Sequence, residues 1–63
     1  MKKYIVIEGR NRFESNSRNA KQHLIDGGYD YVRIETKSGK FVCEATRYED
    51  GIVVNANPDW ARN

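Results

Sequence analysis

Tyr29-Asp30-Tyr31-Val32-Arg33-Ile34-Glu35-Thr36-Lys37-Ser38-Gly39-Lys40-Phe41-Val42-Cys43-Glu44-Ala45-Thr46-Arg47-Tyr48-Glu49-Asp50-Gly51-Ile52-Val53-Val54 is the stretch that decides the fold. Apolar and polar side chains alternate through it with the period of a half-buried strand. Over 30–36, Val32 and Ile34 share one face, and Tyr31, Arg33 and Glu35 share the other. Lys37-Ser38-Gly39-Lys40 reads as a tight turn with a solvated tip, and Glu49-Asp50-Gly51 carries the Asp-Gly hairpin signature. Between these turns, 41–48 is a strand with Phe41, Cys43 and Ala45 toward the core and Val42, Glu44, Thr46 and Tyr48 opposite. A short strand over 52–55 follows. Successive hairpins of this kind build an antiparallel sheet.

Upstream, the β-branched run Lys3-Tyr4-Ile5-Val6-Ile7-Glu8 is a strand over 3–8 that Gly9 ends. Ile5 and Ile7 point to one side, Tyr4, Val6 and Glu8 to the other. Both sides are partly apolar, which suits a central strand, or one with the helix on one face and a partner on the other. Gly9 to Glu14 reads as a polar connection whose Phe13 anchors onto the first turn of the helix. Ser15-Asn16-Ser17 supplies three N-cap candidates, so a helix is expected over 16–26. Ala20, Leu24 and Ile25 make its apolar stripe, with His23 beside them, and Gly27-Gly28 ends it. The expected fold is therefore α+β, a single domain over 1–63 in the order β-α-β-β-β, one helix packed on a short mostly antiparallel sheet. If the first two strands are parallel neighbours, their connection is right-handed. The helix then covers Ile5, Ile7, Val32, Ile34, Phe41, Cys43 and Ala45. Tyr4, Val6, Tyr31, Arg33, Glu35, Val42, Glu44 and Thr46 lie on the open face.

Composition bounds the function. A chain of 63 residues buries only about 60% of its unfolded surface and is marginal in stability. With one cysteine, Cys43, it closes no internal disulfide, and with one histidine, His23, it falls short of a four-ligand zinc site. No cofactor is expected. A lone cysteine in an apolar run reads as a small buried hydrophobe and suits a reducing, cytoplasmic setting. Lys2 and Lys3 precede only four apolar-leaning residues, too few for a signal peptide, and no run is long enough to span a membrane. Hydrolytic or transfer chemistry needs a nucleophile, a base and an oxyanion donor in one cleft. Here Glu8, Glu35 and Glu44 read as cross-strand charge partners of Arg33, and Gly27-Gly28 follows the helix where a phosphate loop would precede it. The chain reads as non-catalytic.

Two binding surfaces remain. The open sheet face, with Tyr4, Tyr31, Arg33, Glu35 and Val42, is rich in the residue types of protein–protein hot spots. Trp60 either folds back onto an open edge of the core or anchors the same partner. The thin core makes a homodimer one form of this reading. The alternative partner is nucleic acid. Net charge is only +2, but residues 1–18 hold five basic groups against two acidic ones, so the excess lies in the first strand and the following loop. Arg10, Asn11 and Arg12 surround Phe13 there, and Arg18 and Lys21 lie near a helix N-terminus that favours phosphate.

The pieces Tyr4-Ile5-Val6, a basic helix around Ala20-Lys21, Arg33-Ile34-Glu35, Gly39 and Glu49-Asp50-Gly51 form a layout that resembles small phage-encoded inhibitors, anti-CRISPR proteins among them. The resemblance covers most of the chain by pattern, through short hairpin-type motifs, and carries over no functional residue. It implies a non-catalytic protein that plugs a surface on a host nuclease complex.

Overall fold

The computed structural model describes residues 3–58. Its elements are β1 (Tyr4–Glu8), β2 (Asn11–Ser15), α1 (Ala20–Gly27), β3 (Tyr31–Thr36), β4 (Phe41–Tyr48) and β5 (Gly51–Ala56). The strands form one sheet in the order β2-β1-β3-β4-β5, every pair antiparallel. The α+β class and the single helix on one sheet are as the sequence reading expects. The segment read as a polar connection is an added edge strand, β2. It exists because Gly9, at φ +59, opens a two-residue loop that sets Glu8 opposite Asn11. That extra reversal also makes β3 return antiparallel to β1, so there is no parallel crossover.

The helix starts later than expected because β2 uses the chain as far as Ser15. Asn19 is the N-cap, its side-chain oxygen accepting from the Gln22 N–H at 3.1 Å. Gln22 donates to Asp26 one turn on, at 2.8 Å. Gly28, at φ 70, closes the helix: its own N–H and that of Tyr29 both reach the Leu24 carbonyl. Eight residues do not hold a helix in water, so packing must. Ala20 and Leu24 are buried against the sheet, whereas Ile25, expected in the stripe, is exposed.

Beneath α1 lie Tyr4 and Val6 of β1, Val32 and Ile34 of β3, and Val42, Cys43 and Ala45 of β4. Leu24, Ile34, Val6, Val32 and Val42 are the largest fully buried side chains, each worth roughly 1.5–3 kcal/mol of transfer free energy. Two expectations about faces are corrected here. In β1 it is Tyr4, Val6 and Glu8 that face the helix, because Val6 stands opposite Ile34 and Glu8 opposite Val32. Ile5 and Ile7 face away with Glu35 and Arg33. In β4 the register shifts at Ile34/Glu35, so that Cys43 opposes Ile34 but Phe41 opposes Glu35. The extra residue in this bulge is Val42, which turns into the core at 1% exposure and sends Phe41 to the open face.

Candidate partner-binding surface

One short helix covers one side of a five-stranded sheet. Register places Arg12, Glu14, Ile5, Ile7, Tyr31, Arg33, Glu35, Phe41, Glu44, Thr46, Val53 and Asn55 on the other side. Of the residues proposed from sequence, Tyr31, Arg33 and Glu35 stand together on β3 at its centre. Tyr4 and Val42 do not join them. Tyr4 packs under the helix because of the β1 register, and Val42 is drawn into the core by the bulge. Trp60 lies outside the described residues. Ile5, Ile7 and Phe41, which alternation alone assigned to the core, belong to this open face.

The polar groups of this face hold its aromatic ones in place. The Tyr31 hydroxyl donates to Glu44 Oε1 at 2.8 Å, and Asn55 Nδ2 approaches the other oxygen of the same carboxylate at 3.4 Å. Contacts therefore tie β3, β4 and β5 together across the surface. Arg33 Nε donates to Glu35 Oε2 at 2.7 Å while its guanidinium carbon sits 4.9 Å from the centre of the Phe41 ring. The Glu35 contact holds the Arg33 guanidinium charged, above its already high ordinary range. Desolvation, then the bond to Glu44, raises the Tyr31 phenol above its usual value, so it stays a neutral donor. The result is a surface of Ile, Phe and Tyr flanked by an arginine whose planar group is already oriented.

The basic set considered for nucleic acid is divided by the fold. Arg10 occupies the β1–β2 loop and Arg12 lies on the open face opposite Ile7. Asn11 belongs to the helix side, where its amide donates to the Tyr29 hydroxyl at 2.9 Å. Arg18 precedes α1 and Lys21 is in its first turn. The cap of that helix is filled by Asn19. On the open face the carboxylates of Glu14, Glu35 and Glu44 stand among the cations, and Glu14 pairs with Lys37 at 3.4 Å.

A second cluster, on the helix side, carries no mark in the sequence. Glu8 is buried at 9% exposure beneath α1. Its Oε2 is 4.0 Å from His23 Nδ1, and the Phe13 ring meets the His23 ring edge-on at a centroid distance of 5.9 Å. His23 Nε2 is buried without a hydrogen-bond partner among the described residues. The Tyr29 ring lies against Gly9 and Gly27. These contacts fasten the β1–β2 hairpin to the helix. The Phe13 anchor thus meets α1 at His23, whose N–H closes the first turn on the Asn19 carbonyl. Cys43 sits elsewhere in the core: its thiol donates to the Arg18 carbonyl at 3.1 Å, and burial pushes its pKa up, which disfavours a thiolate. Among the described residues no three His, Cys, Asp or Glu side chains gather as a metal site, and no helix is long and apolar enough to cross a membrane.

Comparison with protein-family models, curated proteins and solved structures gives no match.

Proposed function

We propose that this chain is a non-catalytic protein-binding module that docks its partner on the open face of the sheet. The observation that carries the reading is the prearranged centre of that face, where Arg33 is held by Glu35 over Phe41 and Tyr31 is held by Glu44. Side chains already fixed in one geometry lose little entropy on binding, and Tyr and Arg are the commonest hot-spot types. Ile5, Ile7 and Val53 extend the apolar area around them. Mixed charge on the face favours a protein surface over a phosphate backbone, which would meet three carboxylates with its cations. The resemblance in layout to small phage-encoded inhibitors supports a specific partner class, a protein surface of a host nuclease complex that the module plugs.

Affinity capture from lysate with and without added nuclease tests this, using the wild-type chain and a Tyr31→Ala/Arg33→Ala variant. The reading expects a protein retained after nuclease treatment and lost in the variant. Recovery of nucleic acid alone, in a salt-sensitive manner, would contradict it and favour the basic hairpin loop.

A further inference from the structure

We infer that β5 pairs antiparallel with β5 of a second copy of this chain, with Val53 at the two-fold axis. Among the described residues β5 has a neighbour on one side only. The hydrogen-bond parity of the sheet identifies which groups it leaves unpaired. Arg47 N–H donates to the Asp30 carbonyl on the β3 side of β4, and Asn57 N–H donates to the Val42 carbonyl on the β5 side, both at 2.8 Å. Since Val53 opposes Thr46 and Asn55 opposes Glu44, the odd-numbered residues of β5 bond inward to β4. The N–H and C=O groups of Ile52, Val54 and Ala56 point outward.

The two edges of the sheet differ in chemistry. β2 carries Arg12 and Glu14, charges of the kind that blunt strand addition. β5 and the residue after it, Gly51 to Asn57, hold no charge, and Val53 and Val54 are 49% and 47% exposed. A second copy fits this edge on both faces. With Val53 on the axis, Val53 meets Val53 on the open side, and Ile52 meets Val54 of the second copy on the helix side. Asn55 falls opposite the side-chain-free Gly51. The acids that precede the strand, Asp50 and Glu49, meet the neutral Ala56 and Asn57, so no like charges oppose across the pair. The outward groups of Ile52 and Val54 satisfy those of Val54 and Ile52 across the axis. Pro58 then ends the ladder. Such a pair is closed, because the edges left over are the charged β2 strands.

Sedimentation equilibrium of the full chain from about 10 μM to about 1 mM tests the inference. A monomer–dimer equilibrium is expected. Val54→Pro removes an outward donor that β4 does not use, so the fold should persist while dimerisation weakens at least about tenfold. Should that variant melt below the assay temperature, Val53→Lys serves instead: it opposes two ammonium groups at the axis from a position already half exposed, and the same loss is expected. Tyr31→Ala/Arg33→Ala should dimerise as wild type, which separates this inference from the open-face reading. A monomer at every concentration, or a dimer undiminished in a folded edge variant, would overturn it.

Discussion

Val42 and Phe41 are neighbours with opposite fates, and exchanging each for glutamine measures the bulge that separates them. Strict alternation puts Phe41 inside and Val42 outside; the structure does the reverse. At Val42 the side chain is 1% exposed. Val42→Gln forfeits about 1.5–2 kcal/mol of transfer free energy and strands an amide, which costs about 1–3 kcal/mol more. Its extra length adds overpacking, so the total is about 4 kcal/mol. A 63-residue domain at roughly 0.05–0.15 kcal/mol per residue has about 3–9 kcal/mol to lose. Val42→Gln should therefore remove about half of the stability or more. Phe41→Gln gives up partial burial and the contact with Arg33 at 4.9 Å, about 1 kcal/mol, or roughly 4–8 °C in Tm. Thermal and urea melts followed by far-UV circular dichroism distinguish the two. If Phe41→Gln proves as costly as Val42→Gln, or more so, the bulge and the face assignment of β4 are wrong.

Other expectations follow from the same contacts. Gly27→Ala adds a Cβ 2.8 Å from Tyr29 Cδ2, so it should lower stability by about 1 kcal/mol in urea titration, where alanine in an open helix position would raise it. Burial raises the Cys43 thiol pKa in the folded chain, so the stability linked to it is intact below the ordinary thiol value and lost as pH rises through the folded one. Urea midpoints should accordingly fall at alkaline pH, less so in Cys43→Ala, and the native thiol should react slowly with an alkylating reagent until the chain unfolds. In ultraviolet titration Tyr31 should ionise above the usual range, and Glu44→Gln should bring it partly back without changing the melting temperature by more than a few degrees.

Much of this architecture was legible in the residues. Val32 and Ile34 against Tyr31, Arg33 and Glu35 is an unambiguous alternation, and Lys37-Ser38-Gly39-Lys40 and Glu49-Asp50-Gly51 mark real hairpins. The centre of the candidate surface followed from that strand alone. Three features were hidden for distinct reasons. β2 is Asn11-Arg12-Phe13-Glu14-Ser15, polar enough to pass for a loop; the usable signal was Gly9-Arg10, a glycine-first pair suited to a two-residue turn. β1 is apolar on both sides, so pattern does not choose between Ile5/Ile7 and Tyr4/Val6; the pairing of Val6 with Ile34 does. The bulge at Val42 leaves no trace in an alternating run, yet it flips Phe41 outward and supplies the platform on which Arg33 rests. Burial of Glu8 depends on where the far end of the helix lands, which no local pattern encodes.

We propose that the uncovered sheet face, and not the helix side, receives a protein partner. The most direct measure of this is retention of protein from nuclease-treated lysate by immobilised chains altered on one side at a time. Tyr31→Ala/Arg33→Ala and Phe41→Gln change the open face, while Lys21→Ala/Gln22→Ala changes the exposed side of α1. Both open-face variants, still folded by circular dichroism, should lose the retained protein at least about tenfold, and the helix variant should keep it. Retention lost in Lys21→Ala/Gln22→Ala and kept in Tyr31→Ala/Arg33→Ala would contradict it.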